Sequence, residues 1–152
     1  MDKEELIKSL NWFYSLETSQ ADLYFAQSKV FKDHYGGLVF ERAAQVEEDH
    51  RDLIGAKIKE LGGIPTQTGE VISSIMGVSL GTILSMTGLN MVLKINIKLE
   101  EKAMSDYSEL ITRVEKEGEG PQSELCKLLK YNYVDEDQHT AIFAKLIEAS
   151  NG

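Results

Sequence analysis

The chain has 152 residues, 42% hydrophobic and 27% charged, which suits one domain and argues against a disordered chain or a polytopic membrane protein. Its formal net charge of -9 argues against nucleic acid as a partner and against electrostatic docking on anionic lipid. Cys126 is the one cysteine, so no internal disulfide can form, and a reducing, cytoplasmic location is expected. The acidic start Met1-Asp2-Lys3-Glu4-Glu5-Leu6 has no basic region leading into an apolar one and reads as no secretory signal.

Four long helices are predicted, since Pro65 and Pro121 are the only prolines. The first runs from about Lys3 to His34, capped by Asp2 with Glu5 as the reciprocal partner, and is broken by Gly36-Gly37. The second runs from about Leu38 to Leu61 and stops at Gly62-Gly63-Ile64-Pro65. The third covers about Leu89 to Lys116 and ends in Glu117-Gly118-Glu119-Gly120. Pro121 suits the first turn of the fourth, which reaches about Ala149. Short links join the first helix to the second and the third to the fourth, with a long crossover between the pairs. That order defines an all-α, antiparallel four-helix bundle of the ferritin-like type, in a single domain over residues 1–152.

Val71 to Leu93 carries no charged residue. Its length meets a transmembrane criterion, but it is rich in Gly, Ser and Thr and leads straight into the third helix. A buried crossover, an interface in a homo-oligomer, or a patch peripheral to a membrane fits it better than a span.

Stepping three and four residues along each helix gives an apolar seam, and in every seam a glutamate interrupts it: Glu17, Glu47, Glu100 and Glu136. Glu100 is preferred to Glu101 because Ile97, Met104 and Tyr107 place it on the apolar row. His50 and His139 follow Glu47 and Glu136 by three residues, so each pair presents an oxygen and a nitrogen on one helix face. Glu-x-x-His also occurs on solvated faces, where it binds nothing. Placement on four seams favours ligation, because a buried lone carboxylate is costly unless it finds a proton or a cation. One Glu from each of two helices and Glu-x-x-His from the other two is the ligand set of di-metal carboxylate bundles. Four carboxylates balance two divalent cations. Oxygen and imidazole ligands suit iron, with manganese as the alternative. Glu47 and Glu136 are the bridging candidates. Glu17 precedes Tyr24 by the interval at which Glu100 precedes Tyr107, and both tyrosines are candidates to hydrogen-bond metal-bound carboxylates. His34 reads as a solvated turn residue, and Cys126 as a small core or surface residue.

Glu17, Tyr24 and Gln27, then Glu47-x-x-His50 and Pro65-Thr66, then Gly77-Val78-Ser79-Leu80-Gly81 leading to Leu99-Glu100-Glu101, Tyr107 and Glu136-x-x-His139, resemble the demethoxyubiquinone hydroxylase family. The resemblance covers about Leu16 to Ala144. It implies two iron ions that activate dioxygen and hydroxylate a quinol-like ring, near the apolar crossover. The ligand motifs are shared with bacterioferritins and rubrerythrins, which leaves a ferroxidase or peroxide-clearing protein, or a non-catalytic metal-stabilised bundle, as rival readings. The haem-ligating methionine of bacterioferritins falls on Glu48, so no haem is expected. The hydroxylases continue past the fourth helix with apolar helical sequence, whereas this chain stops at Asn151-Gly152.

Overall fold

The structure, a computed structural model, describes residues 1–118 and 120–151. Helix α1 (Lys3–Val30) starts at Asp2, whose carboxylate accepts the Glu5 N–H at 2.8 Å. Glu5 turns its own carboxylate to Arg113 rather than back to the cap. Helix α2 is Tyr35–Glu60, which moves the expected break. Gly36 and Gly37 belong to the first turn of α2, and residues 31–34 make the link. His34 is an exposed turn residue with a purpose: its Nδ1 caps α2 by accepting the Gly36 N–H at 2.8 Å. Gly37 is there for close approach, since a Cβ at that position would lie 2.2 Å from the Phe31 carbonyl oxygen.

The end of α2 matches its sequence signal. Gly62 takes φ +86°, and the Gly62 and Gly63 N–H groups return to the carbonyls of Lys59 and Ile58, both at 2.9 Å. That double closure satisfies the last orphan carbonyls of the helix. The chain then lies along α1, where Asn11 accepts the Thr66 N–H at 2.7 Å and Ser15 the Thr68 N–H at 2.8 Å.

The uncharged run does not form one long helix. It folds into α3 (Val71–Met76) and α4 (Leu80–Leu84) before α5 (Leu89–Glu117) begins. Gly77 at φ +73° ends α3, and the Ser79 hydroxyl starts α4 by accepting the Thr82 N–H. Among the described residues, no helix is long and apolar enough to cross a membrane. Val71, Ile72 and Ile83 are buried against the bundle, while Val78, Leu80, Leu84 and Met91 stay 38–53% exposed. The crossover is thus folded in along one edge and open along the other.

Helix α6 is Glu124–Asn151. Pro121 lies ahead of it, not in its first turn, because Ser123 makes the start by accepting the Cys126 N–H at 3.1 Å. Glu119 of the expected terminator lies outside the described residues; the Gly118 N–H closes α5 on the Val114 carbonyl. Helices α1 and α2 form one antiparallel pair and α5 and α6 the other; α1 meets α5, α2 meets α6, and α3 bridges α1 and α5.

The apolar seams give two separate clusters. One holds Tyr24, Phe40, Leu93, Leu99 and Phe143, toward the α1–α2 link. The other holds Phe13, Ile54, Tyr107, Leu110 and Leu129, toward the α5–α6 link. The polar residues of the seams sit between them, at mid-height.

Candidate metal centre

Glu17, Glu47, Glu100 and Glu136 are fully buried, and His50 and His139 are 2% and 9% exposed. Glu101 faces solvent. The glutamates reach the interior because each occupies a seam position between two apolar clusters that bury the helix above and below it.

The six side chains form two overlapping groups. Glu17, Glu47, His50 and Glu136 bring one ligand atom each within 4.8 Å of one another, and so do Glu47, Glu100, Glu136 and His139. Glu47 and Glu136 are common to both. His50 Nδ1 lies 3.0 Å from Glu136, 3.3 Å from Glu47 and 3.4 Å from Glu17. His139 Nδ1 lies 3.0 Å from Glu47 and 3.3 Å from Glu100.

Two tyrosines cross between α1 and α5. Tyr24 of α1 donates to Glu100 Oε1 at 2.6 Å, and Tyr107 of α5 donates to Glu17 Oε1 at 2.5 Å. Each phenol accepts from an amide in turn, Tyr24 from Gln20 at 3.3 Å and Tyr107 from Asn132 at 3.2 Å. Gln27 and Asn96 make a reciprocal pair at 2.7 and 3.0 Å, which ties α1 to α5 toward the α1–α2 link.

The electrostatics are those of a site built for positive charge. Burial, then the charge of Glu17 and Glu100, pushes the Glu47 carboxyl well above the carboxylate range. Burial also raises Glu100, against the pull of His139 and Tyr24. Burial acts upward on Glu17 too, but the His50 charge and hydrogen bonds from its neighbours outweigh it and leave Glu17 low. Burial works against a charged His50, yet Glu17 and Asp135 overcome it and hold its proton firmly. Burial and the adjacent carboxylates push both phenols up, so Tyr24 and Tyr107 remain protonated donors.

Several buried atoms have no hydrogen-bond partner: Oε2 of Glu17, Glu47 and Glu100, both Glu136 oxygens and His50 Nδ1. Buried polar atoms are normally satisfied; among the described residues the one other such side-chain atom is Gln20 Oε1, and the rest all belong to the cluster. Divalent cations accept lone pairs from carboxylates and imidazoles, so the donor chemistry fits a metal pair. The cluster can hold metal.

Asp135 was not singled out from the sequence. It accepts from His50 Nε2 at 2.8 Å, which leaves Nδ1 facing the carboxylates. Asp135 in turn is held low, first by that hydrogen bond and then by the His50 charge. The available signal was its place beside Glu136 in Val134-Asp135-Glu136. Seam reasoning passes over it because it sits a helical step off the apolar row. The matching residue before Glu47 is Val46, which offers no acceptor. Carboxylates placed this way orient a ligand histidine, and their loss weakens metal binding about 10–100-fold. Asp135→Asn is therefore expected to weaken metal binding by about that factor while the fold is retained. A competition titration against a chromophoric chelator checks it, and unchanged affinity would count against the orienting role.

This arrangement defines a ferritin-like four-helix bundle with a buried carboxylate–histidine centre. The family model described as Ubiquinone biosynthesis protein COQ7 matches residues 17–150. The chain belongs to that family. Among solved structures it is similar to a dodecameric thioferritin, the bacterioferritin-related protein from Bacteroides fragilis. That likeness has a TM-score of 0.79 at 21% identity over 99% of this chain and 89% of the other. At that identity it speaks for the fold alone. No curated protein matches the chain.

Proposed function

We propose that this protein is a di-iron oxidoreductase that uses dioxygen to hydroxylate the ring of a quinol-like molecule. The observation that carries the reading is the pairing of COQ7 family membership with two overlapping ligand groups that share Glu47 and Glu136. Glu17 and His50 would complete one metal position and Glu100 and His139 the other. Glu47 and Glu136 would lie between the two ions. Iron is the metal favoured, with manganese as the alternative for the same donor set.

When bound, the metal pair supplies the electrons and the open positions that dioxygen chemistry needs. The residues of the chain supply the rest. Tyr24 and Tyr107 hold Oε1 of Glu100 and of Glu17, which leaves Oε2 of each carboxylate without a hydrogen bond. Asp135 keeps His50 in a fixed orientation. The clusters around Phe143 and Phe13 keep bulk water out.

The place proposed for the organic substrate to dock is a groove of about 870 Å³ between α1 and α5, from which Phe13 would have to move before a ring reached the centre. Ile7, Trp12, Phe13 and Leu110 line it with apolar surface, and charges of both signs surround them, Glu4, Glu5, Asp106 and Glu109 with Lys8, Lys102 and Arg113. Phe13 stacks on Tyr107 at 4.1 Å between ring centroids, and Tyr107 bonds Glu17. A ring in this groove is thus separated from the centre by a pair of stacked aromatics. The sequence alone suggested a pocket roofed by the crossover. The cavity there is smaller, about 500 Å³, and its α1 wall is Ser19, two residues past Glu17 on the helix.

The test is to load the protein anaerobically with ferrous ion and expose it to isotopically labelled dioxygen, with and without a short-chain hydroquinone. The expected result is faster iron oxidation with the hydroquinone and one labelled oxygen in its ring. Steady oxidation of many ferrous ions per chain, indifferent to the hydroquinone, would overturn the reading in favour of a ferroxidase.

A further inference from the structure

Besides the Asp135 and Val46 difference, the two halves of the centre differ three residues beyond the glutamates of α1 and α5. On α2 and α6, the residue three beyond the glutamate is a histidine. On α5 it is Ala103, which has no polar atom to offer. On α1 it is Gln20, fully buried, on the helix face shared by Glu17 and Tyr24.

The orientation of the Gln20 amide follows from its neighbours. Tyr24 has one hydroxyl proton and gives it to Glu100 Oε1 at 2.6 Å. The phenol oxygen must therefore accept from the amide nitrogen, Nε2, at 3.3 Å. That assignment leaves Gln20 Oε1 as a buried acceptor without a hydrogen-bond partner, the only such atom outside the six candidate ligands among the described residues. A buried amide oxygen left unpaired is costly. A water needs two or more polar partners to stay in such a place, and Gln20 Oε1 offers one of them.

We propose that Gln20 is a positioning residue: its carbonyl oxygen accepts a hydrogen bond from a water held on the α1 side of the metal pair, a contact that Ala103 denies to the α5 side. The inference rests on the metal-centre reading. It makes the two metal positions unequal toward small ligands. A ligand that carries a proton is favoured on the α1 side, and one that only accepts hydrogen bonds gains nothing from Gln20.

Azide separates these cases, because it displaces water and donates no hydrogen bond. The protein is loaded with cobalt(II), and azide is titrated against the cobalt absorption bands. In Gln20→Leu, which keeps the bulk and removes the acceptor, azide is expected to bind about tenfold more tightly than in the wild type, with cobalt content unchanged. In Gln20→Glu, which restores an acceptor, azide binds no more tightly than in the wild type. A merely structural role for Gln20 would alter cobalt content or the melting point without this gain in azide affinity in Gln20→Leu. Equal azide affinity in the wild type and Gln20→Leu overturns the inference alone. A wild-type chain that binds no cobalt overturns the metal-centre reading and this inference with it.

Discussion

Glu47→Gln is expected to empty the centre and, in the metal-free protein at pH 7, to raise stability. Metal is lost because Glu47 belongs to both ligand groups, so an amide there removes an anionic donor from each position. Glu136→Gln shares the first effect for the same reason. The gain in stability follows from burial. The Glu47 carboxyl is pushed well above its ordinary value of 4.5, first by desolvation and then by the charge of Glu17 and Glu100. An acid whose folded-state pKa is raised holds its proton more tightly when folded. Its presence costs nothing below its unfolded value, and the cost grows as pH rises toward the folded value. Glutamine has no such cost. The variant should gain about 1–3 kcal/mol at pH 7, and the gain should vanish near pH 4. Urea unfolding of the metal-free proteins at both pH values checks the sign. With metal present the order reverses, since only the wild type gains binding energy. Glu101→Ala serves as the control and should retain full metal, because Glu101 is exposed. Full metal content in Glu47→Gln would remove Glu47 from the ligand set.

Gly37→Ala should destabilise the bundle by about 3 kcal/mol, far more than an ordinary helical Gly→Ala change, which usually stabilises. The new Cβ would sit 2.2 Å from the Phe31 carbonyl oxygen and 2.8 Å from its carbon. Those are backbone atoms of the α1–α2 link and cannot swing aside. The link must shift, and with it Phe31 and Phe40, whose rings meet edge-on at 5.8 Å. A fall in melting temperature of about 10 °C is the expected reading. Gly69→Ala is a suitable comparison, because nothing lies within 4 Å of that site. A Gly37→Ala protein as stable as the wild type would show that the link relaxes freely.

The long helices, their number and the six charged interruptions of their seams were legible in the sequence. Periodicity and end signals act over a turn or two of helix, and a glutamate on an apolar row is visible without knowing what lies opposite. Gly62-Gly63 showed its role for that reason. Gly36-Gly37 did not, because a helix break and a close helix start use the same residue. Only the position of the Phe31 carbonyl distinguishes them, and that is set by how α1 and α2 pack. The crossover was ambiguous in a related way. An uncharged run says that water is avoided, but what covers it depends on neighbours far along the chain.

The sequence by itself determined that four carboxylates and two imidazoles would lie on buried faces, because burial follows from spacing within each helix. Only the tertiary structure decided which of them share a position, since that depends on the relative heights of four helices. It decided that Glu47 and Glu136 stand between the two groups. It decided that each tyrosine serves the glutamate of the opposite helix, a pairing across 76 and 90 residues of sequence. It also brought in Asp135, which bonds His50 across 85 residues. Hydrogen bonds are short and directional, so they are settled by the packing of side chains from separate helices, which no spacing along one helix encodes.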